Sequence, residues 1–455
     1  MEQERELILT GNIRKLLVKF SVPATIGLVV SALYNVVDTL FVGNALGPLA
    51  IAGLAFVLPV QILMFAVGLM VGTGASSIIA RSLGKGDKEK ASITAGNGML
   101  LTCIVSILIM IPCYIFIDKI LYFFKVSPEV FQYSRDYMFI ILMGFIFLSF
   151  GVVGNNLIRA EGKPKAAMYP LIFGAVLNII LDPIFIFVFK MGVRGAAIAT
   201  VLSQFLSVIY LFIYFNYGKS IFKTKIGMFK INFSVSKDIL KIGFPSFLMS
   251  IVDCVIFVLF GRTIMKYGSD LYIAIMGISI RVMDITLMPV IGITQGFSTI
   301  ISFNYGAKNY ERVKKVLKEA IIWTTVVAGF AFIIIFGFPN LILRIFSSNQ
   351  EMITIGITPI RILSVFFITI GFQFIGGHLF QAIGKALPAL FLNITRQIIF
   401  LIPAIIILPI FFGLNGIWFS LPLCDLLNTI LTSIFVFNEL KLINRLLLKD
   451  VPRLV

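Results

Sequence analysis

The segment VGTGASSIIARSLGKGDKEKA, residues 71–91, returns 222 positions later as ITQGFSTIISFNYGAKNYERV, residues 293–313. Gly74 falls on Gly296, Ser76 on Ser298, Gly84 on Gly306 and Glu89 on Glu311. The same offset puts Pro23 on Pro245. Further along it puts Gly154 on Gly376, Leu157 on Leu379, Ala160 on Ala382, Gly162 on Gly384 and Lys163 on Lys385. With one residue dropped, Gly192 and Gly195 fall on Gly413 and Gly416. A register held over that distance marks an internal duplication, so the chain is two halves of one kind.

Around these anchors the sequence is a succession of apolar runs punctuated by Gly, Pro and charge. Hydrophobic residues make up 59% of the 455 and charged residues 13%, with a mean hydropathy of +1.03. A soluble protein is about 45–50% apolar and about 25% charged, and a surplus of this size cannot be hidden in a water-soluble core. The balance excludes a disordered, collagenous, coiled-coil or disulfide-scaffold chain. A spanning helix needs roughly 20 apolar residues. Twelve spans are predicted, near 20–42, 50–80, 93–117, 137–157, 166–189, 195–215, 244–265, 271–303, 319–338, 355–380, 387–411 and 415–437. The expected fold is an all-α polytopic membrane protein, twelve transmembrane helices in two six-helix lobes. Six is even, so both halves enter from the same side and their pseudo-two-fold axis runs along the membrane normal. The expected organisation is an N-terminal lobe over 1–215, a basic linker over 216–241, a C-terminal lobe over 242–437 and a tail over 438–455.

Charge sets the orientation. The net charge is +17. One face of the membrane collects 27 Lys and Arg and the other nine, with Arg281 and Arg396 left inside spans. Lys and Arg accumulate in cytoplasmic loops, so both termini are expected in the cytoplasm. The densest block, Lys219, Lys223, Lys225, Lys230, Lys237 and Lys241, reads as a topology anchor and not as a nucleic-acid patch. Cys103, Cys113, Cys254 and Cys424 sit in apolar runs without metal spacing and read as packing residues. The opening MEQERELILTGNIRK carries acids and no small-residue cleavage site, so no cleavable signal is expected. Gly384–Lys385 is followed by Ala386, not by Ser or Thr, so there is no Walker A motif.

Ionisable groups inside spans cost at least about 2.5 kcal/mol at the bilayer centre and mark candidate sites. Five carboxylates fall there: Asp38, Asp182, Asp253, Asp284 and Asp425. Asp38 and Asp182 lie at similar depth in the outer half of the first lobe, with Thr200 near them. Asn178 and Asp182 share a face at i, i+4. Pro183 removes the helix hydrogen bond to the Ile179 carbonyl. This all-oxygen set suits a hard cation or a shared proton, and no Lys or Arg in the spans of that lobe can neutralise it. Asp38, Asn178, Asp182 and Thr200 are therefore the candidate cation site, and the metal ligands if the ion is Na+. In the second lobe Arg281 and Asp284 are expected to pair at i, i+3, and Arg396 can pair with Asp425. That leaves Asp253 as the acid able to face a substrate. Tyr34, Asn35, Gln61 and Asn155 are candidates for a cavity wall or, alternatively, helix-packing polar groups. Met64, Met283 and Met288 are candidates for an adaptable apolar cavity, with packing as the default, and His378 is read as a helix-end or packing residue.

With these residues in view, the chain resembles the MATE family (multidrug and toxic compound extrusion) along almost its whole length. The segments that carry the likeness are SVPATIGLVVSALYNVVDTLFVG, ARSLGKGDKEKA, IRAEGKPKAAMYP, NIILDPIFIF and KIGFPSFLMSIVD. They are closer to the DinF-like and MepA-like bacterial branch than to NorM. The resemblance implies a first helix bent at Pro23, acting as a hinge, and a first-lobe cation site on Asp38, Asn178, Asp182 and Thr200. NorM-like members carry a second-lobe acid around the position of Phe372, and this chain has none. The implied function is H+- or Na+-coupled antiport of amphipathic, often cationic, drugs, with Asp253 and Arg281 among the substrate-facing groups. No cofactor beyond the coupling ion, no enzymatic activity, a monomer in the lipid bilayer and a bacterial inner-membrane location go with it. A lipid-linked saccharide flippase of the same superfamily is the alternative; it calls for a strongly cationic cavity, to which only Arg281 and Arg396 contribute.

Overall fold

The computed structural model describes residues 2–218, 220–222, 231–346 and 349–450. Lys219, Lys223, Lys225 and Lys230 of the basic linker lie outside the described residues, as does the end of the tail. All regular structure among the described residues is helical. The first half holds α1 (Glu2–Thr10), α2 (Ile13–Leu46), α3 (Pro48–Lys85), α4 (Lys88–Ile115), α5 (Ile117–Phe123), α6 (Pro128–Met143), α7 (Phe145–Ala160), α8 (Pro164–Pro183) and α9 (Gly192–Tyr217). The second holds α10 (Phe233–Tyr267), α11 (Asp270–Gly306), α12 (Tyr310–Gly337), α13 (Pro339–Phe346), α14 (Gln350–Ser364), α15 (Phe367–Ala382), α16 (Ala386–Ile394), α17 (Ile402–Phe412) and α18 (Leu414–Asp450). Ten helical segments are long and apolar enough to cross a membrane, and twelve if each of two bent pairs counts as one span.

The bent pairs are where single spans were expected over 137–157 and 355–380. Instead α6 meets α7 at 50°, and α14 meets α15 at 41°. The first break falls at Gly144, where an added Cβ would sit 2.8 Å from Val201 and 2.9 Å from Gln204 of α9. A side chain there would wedge the broken helix away from its neighbour. The second break falls at the equivalent place in the repeat, near Phe366. The short helices α5 and α13 occupy stretches read as loops, and α18 runs on to Asp450 through most of the expected tail.

The duplication is visible in backbone detail. Asp87 caps α4 by accepting from the Lys90 N–H at 2.9 Å, and Asn309 caps α12 by accepting from the Arg312 N–H at 3.3 Å. An N-cap of this kind is worth about 1 kcal/mol. The residue before each cap is left-handed, Gly86 at φ 88° and Lys308 at φ 59°. Glycine takes that conformation freely, whereas Lys308 bears the strain of its Cβ.

The chain divides into two compact units. The first is Met1–Arg5 with Ile26–Ser250, and the second is Glu6–Thr25 with Ile251–Val455. Each unit thus takes in the leading stretch of the long helix that opens the other half, and small residues admit it. In the first unit a Cβ on Gly243 would lie 1.7 Å from the Met70 carbonyl oxygen, and one on Gly74 would lie 2.0 Å from that of Ile239. In the second a Cβ on Gly292 would lie 2.1 Å from Thr25 Oγ1. Backbones that approach this closely are a usual basis of helix packing in lipid. The boundary in α2 falls two residues beyond Pro23, which is buried inside an otherwise continuous helix.

Candidate functional site

Three helices of the first unit build the acidic cluster. Asp38 lies on α2, Asn178 and Asp182 one turn apart on α8, and Thr200 two turns into α9. All four are buried, Asp182 completely. The Asn178 amide nitrogen donates to Asp182 Oδ1 and to Thr200 Oγ1, each at 3.3 Å. The carboxyl groups of Asp38 and Asp182 come within hydrogen-bonding reach of one another. Three oxygens are then left with no hydrogen-bond partner: Asp38 Oδ1, Asn178 Oδ1 and Asp182 Oδ2. Buried acceptors are satisfied in the great majority of cases, so three in one cluster make it the candidate site of the first unit. Two carboxyls this close cannot both stay ionised without a cation between them; otherwise they share a proton. All the donor atoms are hard oxygens, which suits Na+ or a proton and not a soft metal.

The backbone beside the cluster is not regular. Pro183 brings no N–H to the helix ladder, and the chain widens at once into a π-helical turn, Ile184–Val188. Such turns concentrate at functional sites because they free backbone groups and re-aim side chains. Tyr34 is half-buried and lies in the field of Asp38 and Asp182. Tyr137 was not singled out in the sequence. It is buried on α6, near Gln61 and in the field of the same two acids. Its only sequence signal was a phenol at the edge of an apolar run.

Other first-unit candidates have structural occupations. Met64 does not line a cavity: it is 1% exposed, packs in the hydrophobic core, and its carbonyl accepts from Ser149 Oγ at 3.1 Å. Asn155 is spent on the Ala167 carbonyl, tying α7 to α8. Asn35 is exposed and folds back on the Ser31 carbonyl at 2.9 Å.

The second unit carries a different polar centre. Arg396 binds Asp425 through Nη2 at 3.0 Å and Nε at 3.3 Å, as the pairing expected. Gln397 Nε2 donates to Asp253 Oδ1 at 2.5 Å, and Asp253 is exposed. Both Arg396 and Gln397 lie on a π-helical turn, Thr395–Leu401, inside what was expected to be one regular span. Gln373 joins the network, donating to the Asp425 carbonyl at 3.1 Å and accepting from Asn428 at 2.6 Å. The expected Arg281–Asp284 pair does not form: both side chains are exposed, and among the described residues no ion pair joins them. Met283 packs on the core of this unit and Met288 is half-buried. His378 Nδ1 lies 2.9 Å from the Phe374 carbonyl, a packing arrangement.

A duplicated helical bundle with ten to twelve spans among the described residues, and a carboxyl pair buried inside one half, is a multi-pass membrane protein. The family profile MatE matches residues 23–184 and 245–429, once in each half, and the chain belongs to that family. It is 28% identical over 429 residues to the multidrug export protein MepA of Staphylococcus aureus strain MSSA476, covering 93% of both chains. It is 27% identical over 430 residues to MepA of Staphylococcus haemolyticus strain JCSC1435, covering 94% of both. Among solved structures it resembles a MATE crystallised in complex with MaL6, with a TM-score of 0.91, 25% identity, and coverage of 96% of this chain and 99% of that one. A MOP superfamily transporter from Pyrococcus furiosus, described as having a binding pocket of reversed polarity, matches with a TM-score of 0.90, 27% identity, and coverage of 97% and 98%.

Proposed function

We propose that the chain is a cation-coupled antiporter that exports amphipathic, often cationic, organic compounds by alternating access. One observation carries the reading: Asp38, Asn178 and Asp182 each hold a buried oxygen without a partner, converging from two helices beside Thr200. A proton bound there is shared between the two carboxyls; Na+ bound there takes its oxygens from Asp38, Asn178, Asp182 and Thr200. Inward movement of one charge releases about 2.3 kcal/mol per 100 mV, to which the ion gradient adds. Pro23 serves as the hinge, because it removes one ladder bond two residues from the point where α2 passes between units. Asp253 faces the exported cation, with Met283, Met288 and Arg281 of the same unit as further contacts; in the first unit Tyr34 and Gln61 are the candidate cavity residues. The relatives named for multidrug export support this substrate class. The protein works as a monomeric carrier and not as an enzyme, in a bacterial cytoplasmic membrane with both termini in the cytoplasm. It needs no cofactor beyond the coupling H+ or Na+.

The flippase reading loses ground, since Arg396, one of the two arginines counted inside spans, is neutralised by Asp425. The test is resistance of cells to a panel of cationic dyes. Asp38→Asn and Asp182→Asn should each abolish it at unchanged expression, and full resistance in either variant removes the first-unit site.

A further inference from the structure

We propose that the first unit carries a binding site for an anionic phospholipid of the cytoplasmic leaflet, in a groove between α4 and the leading stretch of α10. The groove has a volume of about 590 Å³, within the usual range for ligand pockets. Leu101 and Ile104 form one wall, and Phe233, Leu240 and Phe244 form the other. Lys237 and Lys241 stand at its edge. They are one turn apart, so they share a helix face, and both are exposed with no ion pair among the described residues.

The groove is a framed feature and not a chance gap. Ser236, buried at its floor, donates to Asn97 Oδ1 at 3.2 Å, and the Asn232 N–H donates to the same oxygen at 2.8 Å. These bonds fix the start of α10 against α4. The depth also fits a lipid. α10 is 35 residues long where about 20 span the hydrocarbon, so its first turns reach into the headgroup layer. Lys237 and Lys241 are four and eight residues into it, about 6 and 12 Å from its start. The site therefore presents apolar walls at the depth of acyl chains and two ammonium groups at the depth of phosphates. Charge complementarity selects an anionic over a zwitterionic headgroup. Asp238, the one acid on this stretch, lies between the two lysines in sequence but is not part of the groove wall. Since α10 begins in the first unit and continues into the second, a lipid seated here clamps the leading stretch of that helix onto the first unit.

The experiment is native mass spectrometry of delipidated, detergent-purified protein titrated with phosphatidylglycerol or with phosphatidylcholine of the same chains. Wild type should retain phosphatidylglycerol in preference. Lys237→Gln with Lys241→Gln should weaken that binding about thirty-fold, at about 1 kcal/mol per lysine, and leave phosphatidylcholine unaffected. Ile104→Trp, which fills the groove without touching the charge, should weaken both lipids. Equal affinity for the two lipids in wild type, or undiminished phosphatidylglycerol binding in both variants, overturns the proposal. Displacement of the lipid by soluble glycerol phosphate would show an anion site without a chain groove and overturns it too.

Discussion

Removing Asp425 should destabilise the second unit far more than removing any acid of the first-unit cluster. Asp425 is 3% exposed and holds Arg396 at 3.0 Å from a π-helical turn. At that separation and an effective dielectric near 20, the attraction is worth about 5–6 kcal/mol before desolvation is subtracted. Desolvation of two ions takes back most of it, so the intact pair contributes little net stability. Asp425→Ala is another matter, because it leaves the guanidinium in place without its partner. The expected loss is about 3–5 kcal/mol, at the lower end because Asp253 remains close enough to interact with Arg396. Replacing both ions by apolar residues of similar volume, Arg396→Met with Asp425→Leu, should recover most of that loss. Unfolding by SDS titration in mixed micelles, followed by the fluorescence of Trp418, reads it directly. Trp418 is buried two turns before Asp425 on the same helix. Asp38→Asn should leave the same curve close to wild type, because Asp38 holds no ion pair among the described residues and its Oδ1 is unpartnered. If the single Asp425→Ala variant is as stable as wild type, or the double variant no better than the single one, the structural account of this pair fails.

Three further outcomes follow from the geometry. Asp253→Asn should weaken a cationic dye about ten-fold and leave a neutral analogue unchanged, since a single charge at the cavity is removed, worth about 1–2 kcal/mol after desolvation; equal weakening of both would make Asp253 a structural partner of Gln397. Pro23→Ala restores a ladder N–H, so the variant should fold at least as well as wild type yet transport more slowly; dye efflux at the wild-type rate contradicts the hinge. Glu161 is buried at the end of α7, where Ser220 Oγ and the Ile221 N–H donate to it, and burial outweighs these contacts and pushes its carboxyl up. The folded protein thus holds this proton when the unfolded chain has released it, so stability should fall as pH rises from the ordinary carboxylate range through the raised value, and Glu161→Gln should flatten that part of the stability–pH curve.

The duplication and the span count were legible because apolar length and punctuation repeat at a fixed offset, and lipid leaves helices few alternatives. The cluster of Asp38, Asn178, Asp182 and Thr200 was legible for a related reason. Buried acids are rare enough in spans that depth and helix face suffice to bring them together. What periodicity cannot register is a local change of helix type. The breaks beside Gly144 and Phe366 and the two π-helical turns all sit inside runs of uniform hydropathy. For Met64 and Asn155 the sequence left cavity and packing both open, because a polar or soft side chain looks the same in a sequence whether it meets a cavity or a neighbouring carbonyl. Arg281 and Asp284 show the limit of spacing arguments, since i, i+3 proximity on a helix permits a pair without fixing the side-chain rotamers that would form it. The division of α2 and α10 between units depends on contacts of Gly74, Gly243 and Gly292 with residues on another helix, which spacing along the chain does not encode.

The central claim is that the carboxyl pair of the first unit couples an ion gradient to export. The most direct measurement is dye movement in proteoliposomes under an imposed pH gradient alone and then a Na+ gradient alone, for wild type and for Asp182→Asn. The account predicts that at least one gradient drives dye transport in wild type and that neither does so in the variant. Transport by Asp182→Asn at the wild-type rate under the same gradient would contradict it.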